Sequence, residues 1–277
     1  SDWSSDVCSS DLYVSRVAYL PDSFGHSWDF PKIFHQFGIK DFVITRGVGD
    51  DYKLGSEFYM KSNDGSELLV CTMIAGYGYG CYAFRNGTLF DESGLDYNKI
   101  SVQSLIDRLL SYSTLDHEFV FPLGFDQNPA MLDIPKRIAE YNAQQTDIAF
   151  VSTTWQDFCN RVREHGHNLK CHEHELFSTQ YHRVHRSIFS ARADIKALQD
   201  ACERKITYGL QPLMSMLDAQ GIPYDHGLID EIWNRLLRCQ THSSATLTDE
   251  TNDYIQQETQ NAYNLITSQT VFLMKLL

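Results

Sequence analysis

Two kinds of apolar spacing divide this chain, and the point where one gives way to the other limits its fold more than any other feature. From Tyr13 to about Phe189, short β-rich runs alternate with helical ones. Residues 17–20, 42–45, 68–74, 118–123 and 147–151 are compact apolar runs bounded by Gly, Pro, Asp or Asn, the pattern of strands. Between them, 31–37, 102–110, 134–142 and 154–164 carry apolar residues at spacings of three and four, the period of a helix face. Strands alternating with helices predict an α/β domain with a mostly parallel sheet covered on both faces. From about Ala191 the strand signals stop, and 191–220, 228–238 and 249–277 read as helices, the first ended by Gly221 and Pro223. The expectation is an α/β domain over 13–190 followed by an α-helical three-helix bundle over 191–277.

Charge and cysteine usage exclude some partners. With 36 acidic against 23 basic residues the net charge is −13, which disfavours nucleic acid and anionic membrane surfaces. No apolar run approaches the ~20 residues that cross a bilayer, and no signal-peptide pattern opens the chain. Seven cysteines are scattered without CxxC pairs, which predicts buried thiols in a cytoplasmic protein rather than a disulfide framework. Residues 1–12 are read apart from the fold. Asp2 to Leu12 can be back-translated into a string that matches a common sequencing-library adapter, so the natural chain is expected to continue upstream of residue 13.

In a parallel sheet, ligands bind outside the carboxyl ends of the strands. Asp22, Arg46 and Asp126 all fall at such ends. Asp22 lies in Tyr19-Leu-Pro-Asp-Ser-Phe-Gly-His26, and Arg46 closes Asp-Phe-Val-Ile-Thr-Arg. A carboxylate beside a guanidinium favours its charged form, as a nucleophile or a metal ligand requires. By local sequence alone Asp22 also suits a helix-capping turn. Asp126, in Phe-Pro-Leu-Gly-Phe-Asp-Gln-Asn-Pro, equally suits a loop after a buried strand.

The segment Tyr19–Arg46 closely resembles the nucleophile motif of the family 38 glycoside hydrolases, the zinc-dependent retaining α-mannosidases. Tyr181-His-Arg-Val-His-Arg-Ser-Ile-Phe-Ser-Ala-Arg-Ala-Asp-Ile-Lys196 resembles the bacterial signature of the same family, and Asp249-Glu-Thr-Asn252 adds to the likeness. The resemblance implies that Asp22 attacks the anomeric carbon of an α-mannoside and also ligates zinc. It implies that Asp126 is the general acid/base. Retaining glycosidases need two carboxyl groups about 5 Å apart, one ionised and one protonated. Arg46 beside Asp22, and Phe125 and Leu123 flanking Asp126, are expected to supply that asymmetry. Arg183, His185 and Arg192 are implied to line or brace the rim that binds substrate.

The implied zinc ion takes a His-x-Asp pair near the N-terminus, the nucleophile and a later His. His242 matches the later His, although Ser243 stands where the family has Asp and the loop is two residues short. No histidine here is followed by Asp two residues on, and Asp22 with His242 cannot alone build a tetrahedral site. The chain is therefore expected to bind zinc weakly or not at all, and to be an inactive, aggregation-prone internal fragment. Mannoside glycans or small mannosides are the implied ligands, with homo-oligomers possible at full length.

Two other classes compete. One is a catalytically dead mannose-binding remnant. The other is a metal-dependent polysaccharide deacetylase using Asp22 and the tract holding His165, His167, Cys171, His172 and His174. That tract follows no structural zinc spacing and reads more simply as a solvated loop. Gly76-Tyr-Gly-Tyr-Gly-Cys-Tyr82 could offer aromatic faces to sugars, but reads more simply as a Gly-rich strand edge with core tyrosines.

Overall fold

The computed structural model describes residues 15–84, 101–124, 126, 129–144, 147–242 and 248–277. The adapter-like residues 1–12 lie outside the described residues, as do Phe125 and Ser243 with the loop that follows it. The chain forms two compact units, Ser1–His185 and Arg186–Leu277.

The first unit is built on one sheet of β1 (Val17–Leu20), β2 (Asp41–Ile44), β3 (Glu57–Lys61), β4 (Glu67–Thr72) and β5 (Cys171–His172), in the order β1-β2-β4-β3-β5. β1, β2 and β4 run parallel, β3 is antiparallel to β4, and β5 is parallel to β3. The sheet is thus mixed but mostly parallel, as the alternation of elements predicts. Helices α1 (Phe30–Gln36), α2 (Tyr79–Phe84), α3 (Val102–Leu110), α4 (Ile134–Gln144) and α5 (Trp155–His165) accompany it.

Alternate side chains of a strand face opposite ways, and both faces of this sheet are covered. Phe42, Ile44, Phe58, Met60, Leu68 and Val70 share one core with Phe30 and Phe34 of α1. Val43, Leu69 and Cys71 pack on the other face with Phe158, Cys159 and Val162 of α5. Each large apolar side chain buried this way contributes roughly 1.5–3 kcal/mol. Caps set where two helices begin. Ser101 and Ser104 form a reciprocal capping box at α3, and Thr154 Oγ1 accepts from the Asp157 amide at 3.1 Å ahead of α5.

Three expectations change. Strand β3 was not anticipated, although Glu57–Lys61 is joined to β4 through Asn63-Asp64-Gly65 with Gly65 at φ +89°, a hairpin turn of recognisable chemistry. Segments 118–123 and 147–151 have no regular secondary structure and belong to no ladder. Side chains hold them instead: Ser113 Oγ donates to Glu118 O at 2.8 Å, and Asn142 brackets the Phe150 main chain at 2.8 and 2.9 Å. Phe121, Phe150, Phe84 and Tyr141 then pack edge to face between them.

The third change is in the second unit. It contains α6 (Ala193–Lys205), a π turn (Ile206–Leu210), α7 (Gln211–Ala219), α8 (Gly227–Cys239) and α9 (Asp249–Met274). A single helix over 191–220 was expected, but Pro212 has no N–H and its ring would meet the Tyr208 carbonyl in a regular helix. The wider π turn absorbs that conflict, while keeping Ile206 and Leu210 fully buried beside Cys202, Leu217, Ile232, Leu236, Ile266 and Leu273.

Candidate functional site

The register of β1 on β2 pairs Leu20 with Ile44. Asp22 and Arg46 each lie two residues beyond that pair, so parallel strands deliver them to the same sheet edge. Arg46 Nε donates to Asp22 Oδ1 at 2.6 Å, and Nη2 closes on the same oxygen. Nη1 donates to the Arg183 carbonyl at 2.7 Å, and the guanidinium lies 5.2 Å from the centre of the Phe24 ring. The guanidinium here presents three separate nitrogens to two acceptors, an arrangement that the single ammonium of a lysine could not reproduce.

The turn that carries Asp22 is tied down from below. His26 is buried, exchanges main-chain hydrogen bonds with Leu176 at 3.0 and 3.1 Å, and places Nε2 3.1 Å from the Arg46 carbonyl. Gly25, at φ +108°, leaves room for the Phe177 ring, which a Cβ would approach to 2.1 Å. Burial pushes the His26 ring down to about 4, partly offset by its hydrogen bond to the Arg46 carbonyl.

β4 ends at Thr72, opposite Ile44, and the chain beyond it brings Tyr77 to the same edge. The Tyr77 hydroxyl donates to Asp126 Oδ2 at 3.0 Å. Burial raises the Tyr77 phenol well above its usual range, reinforced by the hydrogen bond to Asp126 and by the charges of Asp22 and Asp126, against Arg46. Tyr77 therefore remains a proton-bearing donor with both carboxylates in its field. Burial and then Asp126 also raise Tyr19. His182 places Nε2 3.0 Å from the Ile74 carbonyl, and burial holds it below its ordinary value, with Arg46 acting in the same direction.

The predicted residues fare differently. Asp22, Arg46 and Asp126 lie in one unit around Tyr77. Asp126 itself is exposed. Arg183 braces the site through its main-chain carbonyl, while its side chain is exposed. His185 stacks edge-on against Phe24 with ring centres 5.0 Å apart. Arg192 and His242 belong to the second unit, where Arg192 adopts φ +50° and pairs with Asp249 at 3.2 Å. The sequence gives Tyr77 only as one of the tyrosines of a Gly-rich strand edge, and gives His182 no role. The position of Tyr77, just beyond a buried parallel strand and a glycine at φ +91°, was the available signal.

Beside this edge lies a cavity of about 1330 Å³, lined among others by Tyr19, Tyr77, Phe121, Gly124, Trp155 and Phe158. Its volume exceeds the roughly 300–1,000 Å³ of most small-ligand sites. No group of three or more His, Cys, Asp or Glu side chains among the described residues is arranged to hold a metal ion. The histidine tract disperses instead: His165 lies 3.4 Å from Glu118, His167 3.5 Å from Asp116, and His172 and His174 pack against Tyr52 and Trp28.

Two carboxyl groups, one ion-paired with Arg46 and one bound by the Tyr77 phenol, thus lie beside the carboxyl edge of a mostly parallel sheet. Similarity gives the family. Residues 6–182 match the glycosyl hydrolases family 38 N-terminal domain, and the chain belongs to that family. A Halalkalibacterium halodurans protein named, provisionally, a mannosylglycerate hydrolase is 23% identical over 248 residues, covering 83% of this chain and 26% of that protein. The α-mannosidase of Saccharomyces cerevisiae is 25% identical over 239 residues, 82% of this chain and 21% of its own. The fold is shared with a crystal structure of an α-mannosidase from Enterococcus faecalis V583, at a TM-score of 0.72 and 21% identity over 95% of this chain and 30% of that one. The chain thus spans about a quarter of the length of the curated relatives it matches.

Proposed function

We propose that this chain is the sheet-bearing part of a retaining α-mannosidase, with a three-helix bundle over 191–277 following an incomplete catalytic domain over 13–190. Asp22 Oδ attacks the anomeric carbon while Asp126 donates a proton to the departing glycosidic oxygen. Water then cleaves the mannosyl–Asp22 ester with Asp126 as base. Arg46 orients Asp22, and Arg183, His185 and Arg192 bind or brace at the rim. The observation that carries the reading is the pairing of Asp22 with Arg46 and of Asp126 with Tyr77 on one sheet edge.

A resident zinc ion is part of the proposal for the intact enzyme, where it would hold the sugar hydroxyls. The described residues do not fit that ion by themselves. Asp22 and His242 are in different units, and two donors cannot close a four-coordinate site. No step above is therefore assigned to zinc. The described cysteines form no disulfide with one another and are mostly buried, which supports a reducing, cytoplasmic setting; no helix among the described residues is long and apolar enough to cross a membrane. Neutral mannosides are the proposed partners, and homo-oligomers of the full-length protein rest on the family likeness.

The test is to incubate the full-length natural protein with an aryl α-mannoside and with a fluorinated mannosyl fluoride that accumulates the glycosyl-enzyme. A mass increase on the peptide holding Asp22, with turnover lost in Asp22→Asn, supports the reading. Mannose binding without turnover would indicate a binding remnant, and acetate release from an acetylated polysaccharide a deacetylase. The 277-residue chain alone is proposed to be inactive and prone to aggregate.

A further inference from the structure

We propose that His26 is a positioning residue: its Nε2–H strut to the Arg46 carbonyl sets where the guanidinium meets Asp22. This rests on the reading of Asp22 as the reacting carboxylate. Asp22 and His26 lie on one turn, four residues apart. Arg46 reaches back to that turn with its side chain, at 2.6 Å to Asp22, and is held from it through its main chain, at 3.1 Å from His26. The three residues therefore form a closed ring of contacts, with one tie on the charged end of Arg46 and one on its backbone.

The partner chemistry fixes the proton. A carbonyl oxygen only accepts, so Nε2 must carry the hydrogen, and a neutral ring then leaves Nδ1 bare. The surroundings agree, since Nδ1 is buried with no hydrogen-bond partner among the described residues. The ring also packs edge-on against Phe42, with centres 5.1 Å apart, and lies 6.1 Å from Phe30. An apolar residue of similar size would fill this space equally well and would not bind the Arg46 carbonyl. A second NH, as in a charged ring, would have no acceptor. The backbone on both sides is fixed independently, by His26 on Leu176 and by Ser178 donating to Gly47 at 2.9 Å. The strut thus closes a frame whose remaining freedom is the orientation of Arg46 itself.

The test uses the full-length natural protein carrying ¹⁵N-labelled arginine and histidine. Wild type is expected to show His26 as the Nε2–H tautomer and a dispersed, slowly exchanging Arg46 Nε–H signal. His26→Gln, whose amide nitrogen can occupy the place of Nε2, should retain that signal. His26→Leu and His26→Asn should lose it while the backbone amides of β2 and β4 stay in place. In the full-length protein, His26→Leu should lower kcat by about 10- to 100-fold with KM changed by less than about threefold, and His26→Gln should restore most of kcat. An Nδ1–H tautomer in wild type, or an Arg46 signal unaltered in His26→Leu, would overturn the proposal. If His26→Leu does not fold, the wild-type tautomer and the His26→Gln signal decide it. The Arg46 signal is read without substrate, so a protein that hydrolyses no mannoside in any form counts against the proposed function and not against the strut.

Discussion

Tyr77 donates its hydroxyl to Asp126 Oδ2 at 3.0 Å, and burial, that hydrogen bond and the charge of Asp22 keep its phenol protonated. The residues joined this way are far apart in the chain. Their meeting depends on β1, β2 and β4 ending together at one edge of the sheet.

Tyr77→Phe removes one hydroxyl and little else. A hydrogen bond of this kind is worth about 0.5–1.5 kcal/mol, so turnover of an aryl α-mannoside should drop about 2- to 10-fold. Circular dichroism should be unchanged, and the melting temperature should move by no more than a few degrees. Undiminished turnover would remove Tyr77 from the site.

Arg46→Lys keeps the charge and loses the fork. Lysine cannot hold Asp22 and the Arg183 carbonyl together. Activity should fall by about 100-fold or more, as expected when a reacting group is displaced by about 1 Å. The ion pair is partly exposed, so stability should fall by only about 1 kcal/mol, measured by urea unfolding. A large stability loss with activity retained would reverse the roles assigned here.

Gly25→Ala places a Cβ 2.1 Å from the Phe177 ring at a backbone angle of +108°. Steric overlap and left-handed strain act together, and destabilisation of about 1–3 kcal/mol is expected from the strain alone. The same substitution at Gly65, where a Cβ meets nothing within 4 Å although φ is +89°, isolates the backbone contribution. Equal urea midpoints for the two variants would show that the Phe177 contact does not matter.

Acid should loosen the first unit through His26. The folded ring stays neutral down to about 4, against 6.5 for the ordinary side chain. Between those values the unfolded chain binds more protons, so stability falls as pH drops from about 6.5 to about 4, by up to about 3 kcal/mol. Below that window the contribution is constant. His182, also held below its ordinary value by burial, acts in the same direction. Urea midpoints at pH 7, 5.5 and 4 should decline more steeply in wild type than in His26→Gln. Parallel declines would assign the acid sensitivity to other groups.

Much of the fold was legible along the chain because its signals are local. The apolar runs at β1, β2 and β4 and the helical spacing at α1, α3, α4 and α5 depend on neighbours a few residues away. Asp22 and Arg46 were legible for the same reason, each standing just past a strand. What escaped was decided by partners. Segments 118–123 and 147–151 have strand-like composition, but Ser113, Asn142 and a group of aromatic rings hold them away from any ladder. Strand β3 carries charged Glu57 and Lys61 at its ends, which masked a core strand, yet Glu57 is buried where Ser56 and Thr114 donate to it at 2.7–2.9 Å.

Local spacing is enough to fix the alternation of strands and helices, the change to helices alone near 191, and the turn that bears Asp22. Periodicity and turn propensity are properties of neighbouring residues, and they survive without a partner. Only the tertiary structure decided that Tyr77 binds Asp126, that Arg183 serves through its carbonyl, and that His26 reaches the Arg46 backbone. Such contacts depend on strand register and on which main-chain groups are left open at the sheet edge, and neither is written in local spacing.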